Sequence, residues 1–87
     1  MTEKETLLEF PCQFPIKAIG RGNDLDNVVY ALIRPHAPDL SEAALTMRPS
    51  GKGNYMAVTV TISAKSQAQL DTIYQTLTDC EQVIMAL

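Results

Sequence analysis

The sequence predicts an α+β two-layer sandwich, a four-stranded antiparallel sheet with two helices on one face. Three observations lead there. Three segments alternate apolar and polar residues at the period of a strand and a short apolar run closes the chain, two others repeat apolar residues at helical spacing, and glycine or proline punctuates the first three junctions. The order along the chain is β, α, β, β, α, β. With right-handed crossovers this gives two split βαβ units, the ferredoxin-like plan, in which the first and third strands lie at the centre.

Phe14-Pro15-Ile16-Lys17-Ala18-Ile19 reads as the first strand, with Phe14, Ile16 and Ala18 on one face and Lys17 and Ile19 on the other. Gly20-Arg21-Gly22 ends it. Asn23 or Asp24 caps the helix that follows, because a short side-chain oxygen accepts from an orphan N–H and an acid suits the positive helix end. Leu25, Val28, Val29, Leu32 and Ile33 form one apolar stripe, and the helix is expected to reach about Arg34. Pro35 and Pro38 oppose further helix, so 35–40 is expected as a frayed end and loop. A second strand over about Ala44 to Arg48 runs into Pro49-Ser50-Gly51-Lys52-Gly53-Asn54, a turn whose glycines permit positive φ.

Tyr55 to Ala64 is the clearest strand. Met56, Val58, Val60 and Ile62 alternate with Tyr55, Ala57, Thr59, Thr61 and Ser63, so one face is strongly apolar and the other small and mildly polar. Ser66 followed by Gln69 fits a capping box, and Leu70, Ile73, Tyr74 and Leu77 carry the second helix to about Asp79. Gln82 to Leu87 reads as a closing strand. The helices cover one side of the sheet, and the other, with Lys17, Ile19, Tyr55, Ala57, Thr59 and Thr61, is left open to water or a partner.

Composition bounds the function. The chain has 87 residues, 46% of them hydrophobic and 20% charged, which supports one core and excludes a multi-lobed enzyme. Residues 1–10 read as a charged, partly mobile leader that docks through Leu7, Leu8 and Phe10, and 11–87 as a single domain. Nothing approaches the roughly 20 apolar residues of a membrane span, and the N-terminus lacks the apolar core of a secretory signal. The expected location is the cytoplasm. Net charge is −3, and the seven cations include no adjacent pair, which argues against non-specific nucleic-acid binding. Cys12 and Cys80 lie far apart, with His36 the lone histidine, so the reading is no metal, no cofactor and two thiols used as small packing groups.

Gly51-Lys52-Gly53 lacks the spacing of a phosphate-binding loop and sits in a hairpin, not ahead of a helix. Lys52, Tyr55 and Lys17 together resemble a reduced RNA-recognition strand, but base stacking needs two or more rings and Tyr55 stands alone. His36 in its proline-bounded loop suits a helix end. No nucleophile, base and orienting group assemble by spacing, and Ser50, Ser66, Asp24 and Asp26 have roles in turns and caps, which points away from an enzyme.

The runs Leu7-Leu8-Glu9-Phe10-Pro11, Phe14 to Gly20, His36-Ala37-Pro38 and Pro49-Ser50-Gly51-Lys52-Gly53-Asn54-Tyr55 resemble the YbeD-like family of small bacterial cytoplasmic proteins, over about 7–87. The resemblance implies an ACT-like variant of the ferredoxin-like fold, similar to small-molecule-sensing regulatory domains, and carries a family label of lipoate regulation. In ACT-like domains the loop between first strand and first helix often meets an effector. Here that loop holds Arg21, Asn23 and Asp24, and the planar fork of Arg21 suits a carboxylate. The expected function is a non-enzymatic regulatory or adaptor domain, with single-stranded RNA binding as the alternative. Its partner is a protein, a second copy or a small anionic metabolite, met through Lys17, Arg21, Asn23, Asp24, Lys52, Asn54, Tyr55 and Thr59.

Overall fold

A computed structural model describes residues 9–87. The Leu7 and Leu8 part of the expected leader lies outside them. Strands β1 (Cys12–Gly20), β2 (Leu45–Ser50), β3 (Tyr55–Ala64) and β4 (Val83–Ala86) form one antiparallel sheet in the order β2-β3-β1-β4, with helices α1 (Leu25–Ile33) and α2 (Gln67–Thr78) between them. This is the ferredoxin-like sandwich.

Alternation in the sequence sets which side faces the helices. In β3, Val58, Val60, Ile62 and Ala64 are buried and Thr59, Thr61 and Ser63 only half-buried; β1 buries Ile16 and Ala18 and exposes Lys17. Leu25, Val29 and Ile33 of α1 and Leu70, Ile73 and Leu77 of α2 close the core from the other side. Each such aliphatic side chain removed from water contributes about 1.5–3 kcal/mol. Among the described residues no polar or charged side chain is buried. Phe10, Cys12 and Cys80 pack against the core's margin, and neither cysteine is in a disulfide.

Several boundaries differ from the sequence reading. β1 starts two residues earlier than the expected Phe14, at Cys12, because pairing with Ala64 and Ser63 of the long β3 carries the ladder that far. Beyond Ile33 the chain tightens into a single 3₁₀ turn, Arg34–His36, that admits Pro35. The expected loop follows it, with Pro38 and Asp39 exposed and Ala37 and Leu40 buried in the core. Arg34 stabilises that segment, its Nε donating to the Pro38 carbonyl at 2.9 Å and a terminal nitrogen to the Tyr30 hydroxyl. β2 begins at Leu45, not Ala44, because Ser41 caps a second 3₁₀ turn over Glu42–Ala44.

The predicted cap of α2 is present, Ser66 Oγ accepting from the Gln69 N–H at 3.0 Å. Asp24 occupies the N-cap of α1 but makes no side-chain cap bond, since its carboxylate is taken by Gln82.

Candidate functional site

The bare side of the sheet is a grid whose rows follow from strand register. Lys17, Thr59 and Thr46 form one row, Ile19, Ala57 and Arg48 the next, and Tyr55 with Ser50 the third. Between Lys17 and Arg48 lies a shallow depression of about 430 Å³, floored by Ala57 and Thr59 and rimmed by Thr46, Pro49 and Ser50. The small side chain of Ala57 leaves the hollow, and the threonine hydroxyls give it hydrogen-bonding walls.

Electrostatics give the hollow a sign. No strand contains an Asp or Glu, so the Lys17 and Arg48 side chains meet no acidic side chain within the strands. The acids of the described residues occupy the helices, turns and loops; Asp26 and Glu42, for example, line a separate hollow of about 220 Å³ beside α1. A chain of net charge −3 thus turns a cationic patch outward from its sheet. At a surface such charges act mainly by attracting and orienting an anion, with modest energy per contact.

The structure distributes the sequence-predicted residues unevenly. Lys17 and Thr59 are direct cross-strand neighbours in the depression. Arg21 lies over the ring of Tyr55, its guanidinium carbon 5.7 Å from the centroid, a cation–π contact at the next row. A β-carbon on Gly51 would come within 3.0 Å of the same ring, so turn and strand pack closely there. Asn23 and Asp24 stand at the start of α1, where Gln82 Nε2 donates to the Arg21 carbonyl at 3.0 Å and to Asp24 Oδ1 at 3.3 Å. Those loop acceptors are engaged within the chain. Lys52 and Asn54 are exposed at the hairpin tip, away from the depression, where Lys52 holds φ at 59° between Gly51 and Gly53.

Arg48 and Thr46 were not singled out by sequence reasoning. The signal was present in the turn: four residues, 51–54, between Ser50 and Tyr55 fix the register and put Arg48 opposite Ala57. His36 serves the framework, its carbonyl accepting from Gln69 Nε2 at 2.8 Å and its Nε2 lying 3.5 Å from Thr76 Oγ1. Among the described residues no group of three or more His, Cys, Asp or Glu side chains is placed to hold a metal ion, and no helix is long and apolar enough to cross a membrane.

Residues 5–87 match the family model described as "protein of unknown function (DUF493)". The chain belongs to the DUF493 family. A UPF0250 protein of Chromobacterium violaceum is 44% identical over 86 residues, covering 98% of this chain and 97% of the relative. One from Neisseria gonorrhoeae is 44% identical with full coverage of both, and one from Nitrosomonas europaea 42% identical, also with full coverage. This DUF493 chain therefore falls in the group its sequence resembles. The solution structure of protein HP0495 from H. pylori superposes with a TM-score of 0.73 over 92% of this chain and 85% of that one, at 13% identity, so the two share the ferredoxin-like fold.

Proposed function

We propose that this DUF493 protein is a non-enzymatic regulatory or adaptor domain that holds an anionic group of its partner on the uncovered sheet face. The observation that carries the reading is the depression between Lys17 and Arg48 on a sheet whose strands hold no acidic side chain. Two long cations with hydroxyls between them can clasp a carboxylate or phosphate, Arg48 by its planar fork and Lys17 as a mobile point charge. Nothing in the hollow resembles a nucleophile beside a base, which is why binding is preferred to catalysis. The loop holding Arg21, Asn23 and Asp24 is the lesser part of the surface, because its acceptors already serve Gln82 and its guanidinium the Tyr55 ring.

The test is charge reversal. Lys17→Glu combined with Arg48→Glu should cut capture of the native partner at least tenfold, by pull-down and mass spectrometry, while Lys65→Glu leaves it unchanged. A protein captured equally by wild type and the double variant would refute the reading. Fluorescence polarisation with a single-stranded RNA measures the alternative, and binding that falls steeply between about 50 and about 200 mM salt would favour it.

A further inference from the structure

Among the described residues the exposed large hydrophobic side chains are Ile84, Met85 and Leu87, at 49%, 48% and 59%, and all lie on or just after β4. Two of them share the face of the cationic depression. Met85 sits opposite Ile19, and Leu87 opposite Lys17, with which it exchanges two backbone hydrogen bonds of 2.7 and 3.0 Å. Carried across the sheet, Leu87 heads the row of Lys17, Thr59 and Thr46, and Met85 the row of Ile19, Ala57 and Arg48. The bare face is thus aliphatic toward β4 and cationic with hydroxyls toward β2, and whatever covers it must bring an apolar stripe and acids side by side.

The backbone groups of a sheet are taken up by its ladders, so its face offers side chains only. An extended segment laid on that hydrocarbon would leave its own N–H and C=O groups dry and unpaired, whereas a helix bonds its own backbone. Spacing agrees with a helix. Rows on one face of a strand are two residues, about 6.8 Å, apart and helix positions i and i+4 about 6.0 Å apart, so acids at i and i+4 of a helix lying along the strands fall one to each row, abreast of Lys17 and Arg48. A second copy of this chain does not supply that helix. α1 and α2 bury their apolar stripes in the core and expose no large hydrophobic side chain, and two bare faces laid together would set cations against cations with no acidic strand residue to meet them.

We propose, resting on the anion-holding reading above, that the bare face receives one amphipathic helix of a different protein, its aliphatic stripe on Ile19, Met85 and Leu87 and a pair of acids at i and i+4 turned to Lys17 and Arg48. The helix forms a third layer, so that the sheet is covered on both faces. Its acids supply the anionic group, and its aliphatic side chains dry the part of the face that the charges do not reach.

In-cell photocrosslinking on the full chain tests this, with Thr46→p-benzoylphenylalanine on the rim of the depression and, separately, Thr72→p-benzoylphenylalanine on the exposed side of α2. The Thr46 probe should capture a protein segment with acids at i and i+4 flanked by aliphatic residues, and the Thr72 probe should not. A synthetic peptide of the captured segment should gain helical circular dichroism on binding and lose roughly tenfold in affinity when its two acids become Gln. Met85→Ser combined with Leu87→Ser removes exposed side chains, so it should keep the melt of the wild type and bind the peptide roughly tenfold more weakly. Undiminished binding to that pair, with binding lost in Lys17→Glu combined with Arg48→Glu, overturns the helix and leaves the anion-holding reading standing. Binding that survives both pairs overturns the two together. Capture of RNA, of a second copy of this chain or of a segment that binds without gaining helix overturns the proposal, as does a Thr46 probe that captures nothing.

Discussion

At Gly20 a β-carbon would lie 2.1 Å from the Gln82 carbonyl oxygen and 3.1 Å from the Val83 α-carbon, both backbone atoms that cannot rotate aside. Gly20→Ala should therefore lower stability by about 3 kcal/mol, read as a shift of the urea midpoint, because β1 and β4 must separate to admit one methyl. The sequence shows a glycine there and suggests a turn. Its actual cause, the approach of a strand 63 residues later, depends on a register that only the folded sheet displays. Tyr74 makes a second residue-scale prediction. Burial raises its phenol above the ordinary 10.0 by penalising the phenolate, so the folded chain keeps the proton longer than the unfolded one. The contribution is complete below about pH 10 and is lost as pH climbs through the raised folded value. Tyr74→Phe should flatten part of the alkaline fall in melting temperature that sets in above about pH 10.

At the scale of elements, legibility followed the strength of the local signal. β3 and α2 were readable almost to the residue, one from strict alternation and the other from Ser66 and Gln69, and the capping bond makes its own prediction. Ser66→Ala should destabilise the domain by about 1 kcal/mol, with the first turn of α2 losing protection in amide exchange, and Ser66→Asp should restore most of it. The segment between α1 and β2 was the least legible. Its prolines indicate a frayed end and loop but not that Ala37 and Leu40 are core residues, held there by two 3₁₀ turns and by Arg34, whose bonds to Pro38 and Tyr30 are tertiary facts with no sequence period. Two isolated apolar residues among prolines give no repeat from which burial could be inferred. The candidate site divides the same way. Lys17 and Thr59 emerged from alternation within single strands, whereas Arg48 joins them only through pairing across β3.

For the molecule as a whole, charge is sorted by layer. The strands carry cationic side chains and no acidic ones, the helices and connections hold the described acids, and no polar side chain of the described residues is buried. Loss of partner capture in the Lys17→Glu and Arg48→Glu double variant is the whole-molecule prediction of that sorting, and an unchanged melt would assign the loss to recognition and not to folding. The sorting also reaches the β2 rim of the sheet. Pro49 has no hydrogen to give a newcomer, and Arg48 would have to shed its water to be covered. The β2 rim thus offers an incoming strand neither a full ladder nor a dry surface, so the sheet does not grow from that side when the protein is concentrated.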